Sequence, residues 1–562
     1  MLLLLAILAY SLGSLPLGYW LLVFIFHKDP RTASAYHLGL ESSARLLGIG
    51  PLLLTALLDF LKGHLGAWLG HSFGLEGALL TGVFTYLGHL YPPRQFFGRH
   101  PLRGRGGFLL LGLVSGLSVS GLPYLLALIP FVVAFTVYAL SGYASLAGLS
   151  VPLSLALILS AHPWPLSAKL LAWLLALLAI WRYKEHLGRI LEGIEPRLGD
   201  PLPLPSTNQV TCAFMIHPLT LDDLWQSPRF RWFKIFVDRG LIAPRLIERI
   251  AEWVRPMKVG ELRGVQTADG REIRCYLISA PLLPHQIVQQ PKLATLRAIQ
   301  GARLARELQA SVIGLGAFWS VVGEKGRVVQ EAVPEIQVTN GGAYTAGTIR
   351  NALPRLLERA SREGKNLREL TAAVVGANGV VAFGIARQIA PWVGRLILVG
   401  RDLERLRRSA ETLRSNLERK GNCPELVVST QIEAVREADL IFSATSDPNP
   451  VLYPEHIKPG AWIYDEGVPP DVHPSVYQVP GVRVIPGGVV RPPGNLQGNL
   501  DLHFGPGAVP ACLAETMILA AERAFERKSL GGETKLENIQ YFVEQAELLG
   551  FRPLEEAEGL KA

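Results

Sequence analysis

Cysteine is scarce in this chain of 562 residues. Four occur, Cys212, Cys275, Cys423 and Cys512, none in a CxxC pair and none beside a histidine cluster. That excludes a disulfide-stapled scaffold, argues against a structural zinc site and suggests a reducing compartment. Charge is also scarce, at 18% of residues against about 25% in an average soluble protein. It is unevenly spread: 106–168 holds no Asp, Glu, Lys or Arg, and residues 1–200 carry 13 Lys/Arg and 8 Asp/Glu against 42 and 39 in 201–562. The first part therefore has a membrane composition and the second a soluble one. No basic run interleaved with aromatics is present, so no nucleic-acid partner is expected. The net charge of +8, concentrated in the charge-poor part, points to anionic lipid or a phosphorylated substrate.

Apolar chain fills the first part. Residues 1–26, 46–70 and 73–91 read as spans. The first lacks a basic leader and a cleavage site, so it reads as a retained transmembrane helix and not a signal peptide. Basic residues collect in 27–45, 94–105 and 182–197, which the positive-inside rule places in the cytoplasm, with the N-terminus outside. The stretch 107–181 then crosses an even number of times. Two crossings leave surplus apolar chain; four need about 17–19 residues each. The expectation is five or seven spans in the cell (inner) membrane, with seven the better fit.

Three polar features stand where polarity costs energy. Asp59 and Lys62, within LLDFLKG, share a helix face at i,i+3, and ionisable groups inside a membrane are functional by default. Gly88-His89 ends a span and is followed by RGRGG (103–107). There, glycines let backbone amides approach a phosphate, and Arg103 and Arg105 supply forked donors. The third feature, 182–195, taken alone reads as a basic amphipathic helix at the membrane surface.

Together these segments resemble the bacterial acyl-phosphate:glycerol-3-phosphate acyltransferase family over about residues 1–199. The carrying pieces are SLGSLPLGY (11–19), LLDFLKG (57–63), AYHLGLES (35–42) with Arg45, GHLYP (88–92) before RGRGG, and YKEHLGRILEGIE (183–195). Several polar positions depart from the family pattern, among them Ala35, Tyr36, His37, Tyr183 and His186. The resemblance implies acyl transfer from acyl phosphate to glycerol 3-phosphate or a related acceptor. It also implies His89 and Glu195 as catalytic-motif residues and Arg45, Lys62, Arg103 and Arg105 as substrate-binding cations.

A proline-rich linker, 200–210, leads into the second part. Short buried runs at 372–376, 396–400, 426–429, 439–445, 462–467 and 482–488 alternate with helical or turn segments, the pattern of a Rossmann-type doubly wound parallel sheet. Gly376-x-x-Gly379-x-x-Ala382 falls between the first of these strands and a helix, where a dinucleotide pyrophosphate needs bare backbone. Arg401, at the end of the second strand, suits a 2′-phosphate and so NADPH. Ser443 and Thr445 follow the fourth strand, at the carboxyl edge where a cofactor lies. Pro510 suits the first position of a helix. That puts Cys512 in the first turn, where free amides favour thiolate and lower the pKa.

Residues 212–555 resemble the long-chain acyl-[acyl-carrier-protein] reductases that make fatty aldehydes. The pieces run in order: FMIHPLTLDDL (214–224), RCYLISAPLLP (274–284), VIGLGAFWSVV (312–322), VTNGGAYTAG (338–347), VVGANGVVAFG (374–384), VGRDLERL (399–406), PGGVV (486–490) and ACLAET (511–516). The resemblance implies Cys512 as an acyl-thioester nucleophile and Thr345 at the substrate. The donor would be a long-chain acyl phosphate, acyl-carrier protein or acyl-CoA. His503 is the candidate proton donor nearest in sequence. The expected architecture is a polytopic α-helical membrane domain (1–199) and the linker, then an acyl-substrate domain (211–360), an NADP-binding Rossmann-like domain with the nucleophile helix (361–530) and a helical tail (531–562), all cytoplasmic. Two alternatives stay open: a membrane half that only anchors, or a soluble half that senses NADP(H) without chemistry.

Overall fold

The chain divides into two bodies, Met1–Leu204 and Pro205–Ala562. The structure is a computed structural model that describes residues 1–25, 49–93, 106–195, 197, 208–226, 230–362, 364, 366–419, 421–498, 500–532 and 535–554. Linker residues 200–207 lie outside the described residues; the last two of the expected linker, from Gln209, already form a strand.

The first body contains, among the described residues, seven helices of 13 or more residues: α1 (Leu2–Ser14), α2 (Ile49–Trp68), α3 (Gly74–Leu90), α4 (Gly107–Val119), α5 (Tyr124–Ser141), α6 (Ala144–Ala161) and α7 (Leu166–Glu192). Tyr124–Ser141, Ala144–Ala161 and Leu166–Lys184 are long and apolar enough to cross a membrane. Helix α4 has 13 residues, about 20 Å at 1.5 Å per residue, against a hydrocarbon core of about 30 Å. Four helices thus share the stretch 107–181, and they are less uniform than the even division expected from sequence.

With no water to drive association between apolar helices, packing relies on small residues that let backbones touch. A Cβ at Gly63 of α2 would land on the Leu109 carbonyl, and one at Gly112 of α4 on the Phe60 carbonyl. The pair α1 and α3 repeats the device, with Gly13 against the Thr85 carbonyl and Gly88 against the Tyr10 carbonyl. This accounts for the glycines strewn through otherwise apolar runs.

The second body holds two six-stranded sheets. In the first, the order is β13-β2-β3-β1-β4-β5. Strands β1 (Gln209–Ile216), β3 (Glu272–Ser279), β4 (Val312–Leu315) and β5 (Gln337–Thr339) run parallel, and β2 (Met257–Gln266) pairs antiparallel with β3. Successive strand residues face opposite sides. Met215 therefore meets Gly301 of α8 (Pro291–Glu307), while Phe214 meets Gly314 beside Thr516 of the helix Ala511–Glu522. The helix that carries Cys512 thus packs on the first sheet. Likewise 494–498 form β13 on that sheet's edge. The chain after 486 returns to the substrate-side sheet, so the expected boundaries 211–360 and 361–530 separate the two sheets only up to that point.

The second sheet is fully parallel in the order β11-β10-β9-β6-β7-β8. Its strands are β6 (Thr371–Val375), β7 (Arg395–Val399), β8 (Glu425–Ser429), β9 (Leu440–Ser443), β10 (Trp462–Asp465) and β11 (Arg483–Pro486). Read from the other edge this is the 3-2-1-4-5-6 order of a dinucleotide-binding fold. Ala372, Val374, Leu396, Leu398 and Phe442 face one core; Ala373, Val375, Ile397, Val399 and Ile441 face the other. Among the described residues, one face carries the long helices, α9 (Val380–Ile389) and α10 (Leu403–Glu418). The connections after β9 and β10 hold short 3₁₀ turns, because Pro448, Pro450, Pro454, Pro459, Pro469, Pro470, Pro474 and Pro480 deny them a regular helix.

Overpacking the helix pair α2 and α4 should be expensive. Gly63→Val or Gly112→Val should destabilise the membrane body by about 1–3 kcal/mol, seen as a lower Tm in detergent. Gly188→Ala, whose Cβ would meet nothing within 4 Å, should leave the Tm unchanged or slightly raised.

Candidate functional site

In the membrane body, Glu195, Lys62 and His89 are the motif residues that fall among the described ones. Gly193 takes a left-handed conformation at the end of α7 (φ +76°) and turns the chain back, so that the Glu195 N–H reaches the Arg189 carbonyl. The buried Glu195 carboxylate then lies 3.1 Å from His186 Nδ1 and 3.3 Å from Arg189 Nε. Glu195 is thus bound by two neighbours of its own motif, which is the position of a residue that orients the end of α7. Lys62 is almost fully buried; its Nζ donates to the Leu15 carbonyl at 2.8 Å and lies 3.9 Å from Asp59. Its ammonium stitches α2 to the chain beyond α1 and keeps capacity for a further acceptor. His89 sits in the last turn of α3. Its Nε2 is buried and has no hydrogen-bond partner among the described residues. A Cβ at Gly106 (φ +74°) would lie 3.2 Å from His89 Cδ2, which explains the glycine there. Arg45, Arg103 and Arg105 lie outside the described residues.

The second body contains a cavity of about 880 Å³ whose wall includes Gly376, Gly379, Arg401, Thr445, Thr345, His503 and Cys512. Gly376 and Cys512, far apart in the chain, therefore line one space. The glycine loop is built for close approach. Gly376 has φ +82°, and its Cβ would meet the Ala444 carbonyl. The Gly379 N–H donates to the Gly376 carbonyl at 2.7 Å, and Gly379 caps α9. Asn378 ties this loop to the end of β7: its Nδ2 donates to the Asp402 carbonyl, and its Oδ1 accepts from the Asp402 N–H. Ala382 is fully buried inside α9, where a small residue lets helix and strand pack closely.

Two expectations need correcting. Ser443 does not reach the cavity wall. It is fully buried and donates to Asp465 Oδ1 at 3.0 Å, so it shapes the carboxyl edge from behind. The Cys512 thiol is not lowered. Pro510 is the N-cap, not the first helical residue, and Cys512 does stand in the first turn of α11 (Ala511–Glu522). Backbone N–H groups of Ala317, Leu513 and Cys512 pull its pKa down, but burial outweighs them and Glu515 adds to it, pushing the thiol up to about 12. Desolvation of a charged sulfur costs more than one helix terminus returns.

The nucleophile is held by a buried bracket. Glu515 Oε1 accepts from Thr339 Oγ1 at 2.6 Å, and Oε2 accepts from the Tyr344 N–H at 2.8 Å. Gly341 (φ +71°) packs directly on Cys512, where any side chain would collide. Thr345 Oγ1 donates to the Gly341 carbonyl at 2.7 Å, so Thr345 positions the turn behind the sulfur. His503 Nε2 is 3.0 Å from Asp223 Oδ1 and the side chain is 45% exposed. That partner occupies the nitrogen a proton donor would use.

Two cavity residues escaped the sequence reading. Glu466 follows β10; burial pushes its carboxyl up to about 8, with Asp465 adding to the rise and Thr348 opposing it. Its Oε2 is buried without a hydrogen-bond partner, and a Cβ at Gly488 would stand 3.4 Å from that oxygen. The Gly488 carbonyl in turn accepts from the Ala511 N–H beside Cys512. The available signal was Asp465-Glu466 at the carboxyl end of a central strand. Lys325 is presented by a left-handed run, Gly323 to Gly326. Burial, with Arg405 nearby, pushes its ammonium down to about 8. Lys325, Arg401 and Arg405 all line the cavity, a cationic set suited to phosphate.

Residues 3–193 match the glycerol-3-phosphate acyltransferase family, and residues 358–486 match the shikimate/quinate 5-dehydrogenase family. A glycerol-3-phosphate acyltransferase of Listeria monocytogenes serotype 4a is 33% identical over 202 residues, 35% of this chain and 96% of that protein. A solved integral membrane glycerol 3-phosphate acyltransferase, in its glycerol 3-phosphate form, is 32% identical over 35% of this chain and 96% of its own, with a TM-score of 0.32. A shikimate 5-dehydrogenase from Listeria monocytogenes, solved with shikimate and NAD, is 10% identical over 62% of this chain and 99% of its own, with a TM-score of 0.26. Within the second part, residues 358–486, which hold the Rossmann-type parallel sheet, thus match a dehydrogenase family; acyl-carrier reductase is a finer reading.

A raised thiol pKa has a direct readout. Alkylation of Cys512 by iodoacetamide, followed by peptide mass mapping, should rise about tenfold per pH unit through neutral and mildly alkaline pH, because only thiolate reacts. A rate already flat below pH 7 would mean that the helix terminus prevails.

Proposed function

Since the chain belongs, through residues 3–193, to the glycerol-3-phosphate acyltransferase family, we propose a membrane enzyme of lipid synthesis that joins acyl transfer to NADPH-dependent acyl reduction. In the membrane body, a hydroxyl of glycerol 3-phosphate or a related acceptor attacks the carbonyl of an acyl phosphate. An ester C–O bond forms, inorganic phosphate leaves, and the hydroxyl proton passes to the open Nε2 of His89. Lys62, with Arg45, Arg103 and Arg105, neutralises the phosphates. Glu195 holds the end of α7 through His186 and Arg189.

In the second body, the Cys512 sulfur attacks a long-chain acyl thioester or acyl phosphate, and the thiol proton leaves with the carrier thiol or phosphate. The Ala317 N–H and the first-turn amides of α11 steady the charge on sulfur. NADPH held in this cavity would supply the hydride that reduces the resulting thioester. The oxyanion then collapses to aldehyde, the C–S bond breaks, and the departing sulfur takes a proton. A thiolate whose conjugate acid sits near 12 is a poor leaving group, so this step needs an acid. Glu466, neutral below about pH 8, is that acid, in place of His503. The glycine loop and the first amides of α9 would hold the pyrophosphate, and Arg401, Arg405 and Lys325 would hold a 2′-phosphate, which favours NADPH over NADH. The observation that carries this reading is the shared cavity of Cys512, Glu466 and the Gly376 loop. The location that follows is a multi-pass membrane protein with both active sites on the cytoplasmic side.

Product analysis tests it. Purified full-length protein in lipid, given labelled acyl phosphate, glycerol 3-phosphate and deuterated NADPH, should yield labelled lysophosphatidic acid and a fatty aldehyde with deuterium on its carbonyl carbon. NADPH that binds but is never consumed would leave the soluble half a sensor. Aldehyde formation should fall as pH rises through about 8, where Glu466 loses its proton. Glu466→Gln should cost on the order of a hundredfold and remove that limb of the profile.

A further inference from the structure

Residues 221–226 and 230–255 form a helical flap with its own small core, Leu224, Trp225 and Ile247 packed with Phe230, Phe233 and Val237. That core uses one side of the flap and leaves the other open. On the helix Pro244–Trp253, Ile247 and Ala251 point inward. Leu246, Ile250 and Trp253, spaced i, i+4, i+7, form a stripe on a different face, with Trp253 85% exposed and Leu246 and Ile250 each 49%. Ile235, Phe236 and Leu241 extend the exposed apolar area from the neighbouring helix Arg231–Asp238.

Charge is sorted across the same helix. The acids are tied inward: Glu252 Oε1 accepts from Gln286 Nε2 and Gln290 Nε2, and Glu248 faces His285 at 3.5 Å. The bases are not. Arg245 and Arg249 follow the apolar stripe on the helical wheel, are exposed, and make no ion pair among the described residues; Arg231, Lys234 and Arg239 on the adjoining helix share this state. An apolar strip edged by free cations has the form of a helix lying in a lipid interface, apolar side in and bases at the headgroups.

We infer that this face docks on a bilayer bearing anionic headgroups. Anionic lipid complements the cationic edge, and the membrane helices on the same chain keep a bilayer within reach. A second copy meeting this patch about a twofold axis would set arginines against arginines. Leu224 and Phe230 of the same flap line the Cys512 cavity. Docking therefore brings that apolar wall to the layer that holds long-chain acyl groups. This consequence rests on the acyl-reductase reading; the docking does not.

The test reads depth, not activity, so it stands or falls apart from the reductase reading. The full chain carrying Cys423→Ser and Ile250→Cys is spin-labelled in nanodiscs of phosphatidylcholine, with or without phosphatidylglycerol; the Cys423→Ser parent gives the background. With phosphatidylglycerol, the ratio of collisions with oxygen to collisions with a water-soluble nickel chelate should exceed that of a label at Glu411→Cys several-fold. Adding Arg245→Glu and Arg249→Glu, or Trp253→Glu, should return it towards the Glu411→Cys value. A ratio equal to that of the solvent-facing label overturns the proposal, as does indifference to the arginine reversals. Shielding from both reagents with spin–spin broadening overturns it in favour of a second copy.

Discussion

The Glu515 side chain, with no exposure to solvent, is the tie on which the second body depends. Through Thr339 and the Tyr344 N–H it binds α11 to strand β5 and to the turn after it. That turn carries Gly341, which touches Cys512, and Thr345, which lines the cavity. The sulfur, the wall behind it and the edge of the first sheet are therefore set by one buried group. Leaving such a buried group with a missing partner costs about 1–3 kcal/mol, and more when it is charged, so the arrangement is held firmly where the chemistry needs it.

That rigidity has a chemical consequence. Cys512 and Glu466 are both partly withdrawn from water, and in both cases burial favours the neutral form. A protonated thiol and a protonated carboxyl then face one cavity, beside backbone donors and a loop made for phosphate. The pair is poorly suited to a resting thiolate. It is suited to holding a proton until sulfur must leave. The membrane body uses desolvation differently: Lys62, Asp59, Glu195 and His186 pay for burial by pairing, and His89 keeps an open nitrogen at a helix end.

Much of this was legible in the sequence. Every strand of the second sheet was visible as a short apolar run, with ends off by one or two residues, because a buried parallel strand needs nothing else. The tight turn at Gly376 and Gly379 was readable because close backbone approach is a local demand. Ser443 was misplaced because strand position does not tell which side of the edge a side chain faces; Asp465, 22 residues on, takes its hydroxyl. The sign of the Cys512 shift was missed because the helix terminus is local whereas desolvation arises from segments near 317, 341 and 515. Glu466 was passed over for the same reason: nothing beside it in the chain reveals that Thr348 and Gly488 enclose it. The return of 494–498 to the first sheet was not readable from a loop rich in glycine and proline.

The central claim is that Cys512 carries the acyl group. The full-length protein exposed to a long-chain acyl thioester without NADPH, and weighed intact by mass spectrometry, should gain the mass of one acyl group. Cys512→Ala should gain none, and adding NADPH should discharge the adduct. No adduct on the native chain, or one that survives Cys512→Ala, would contradict the account.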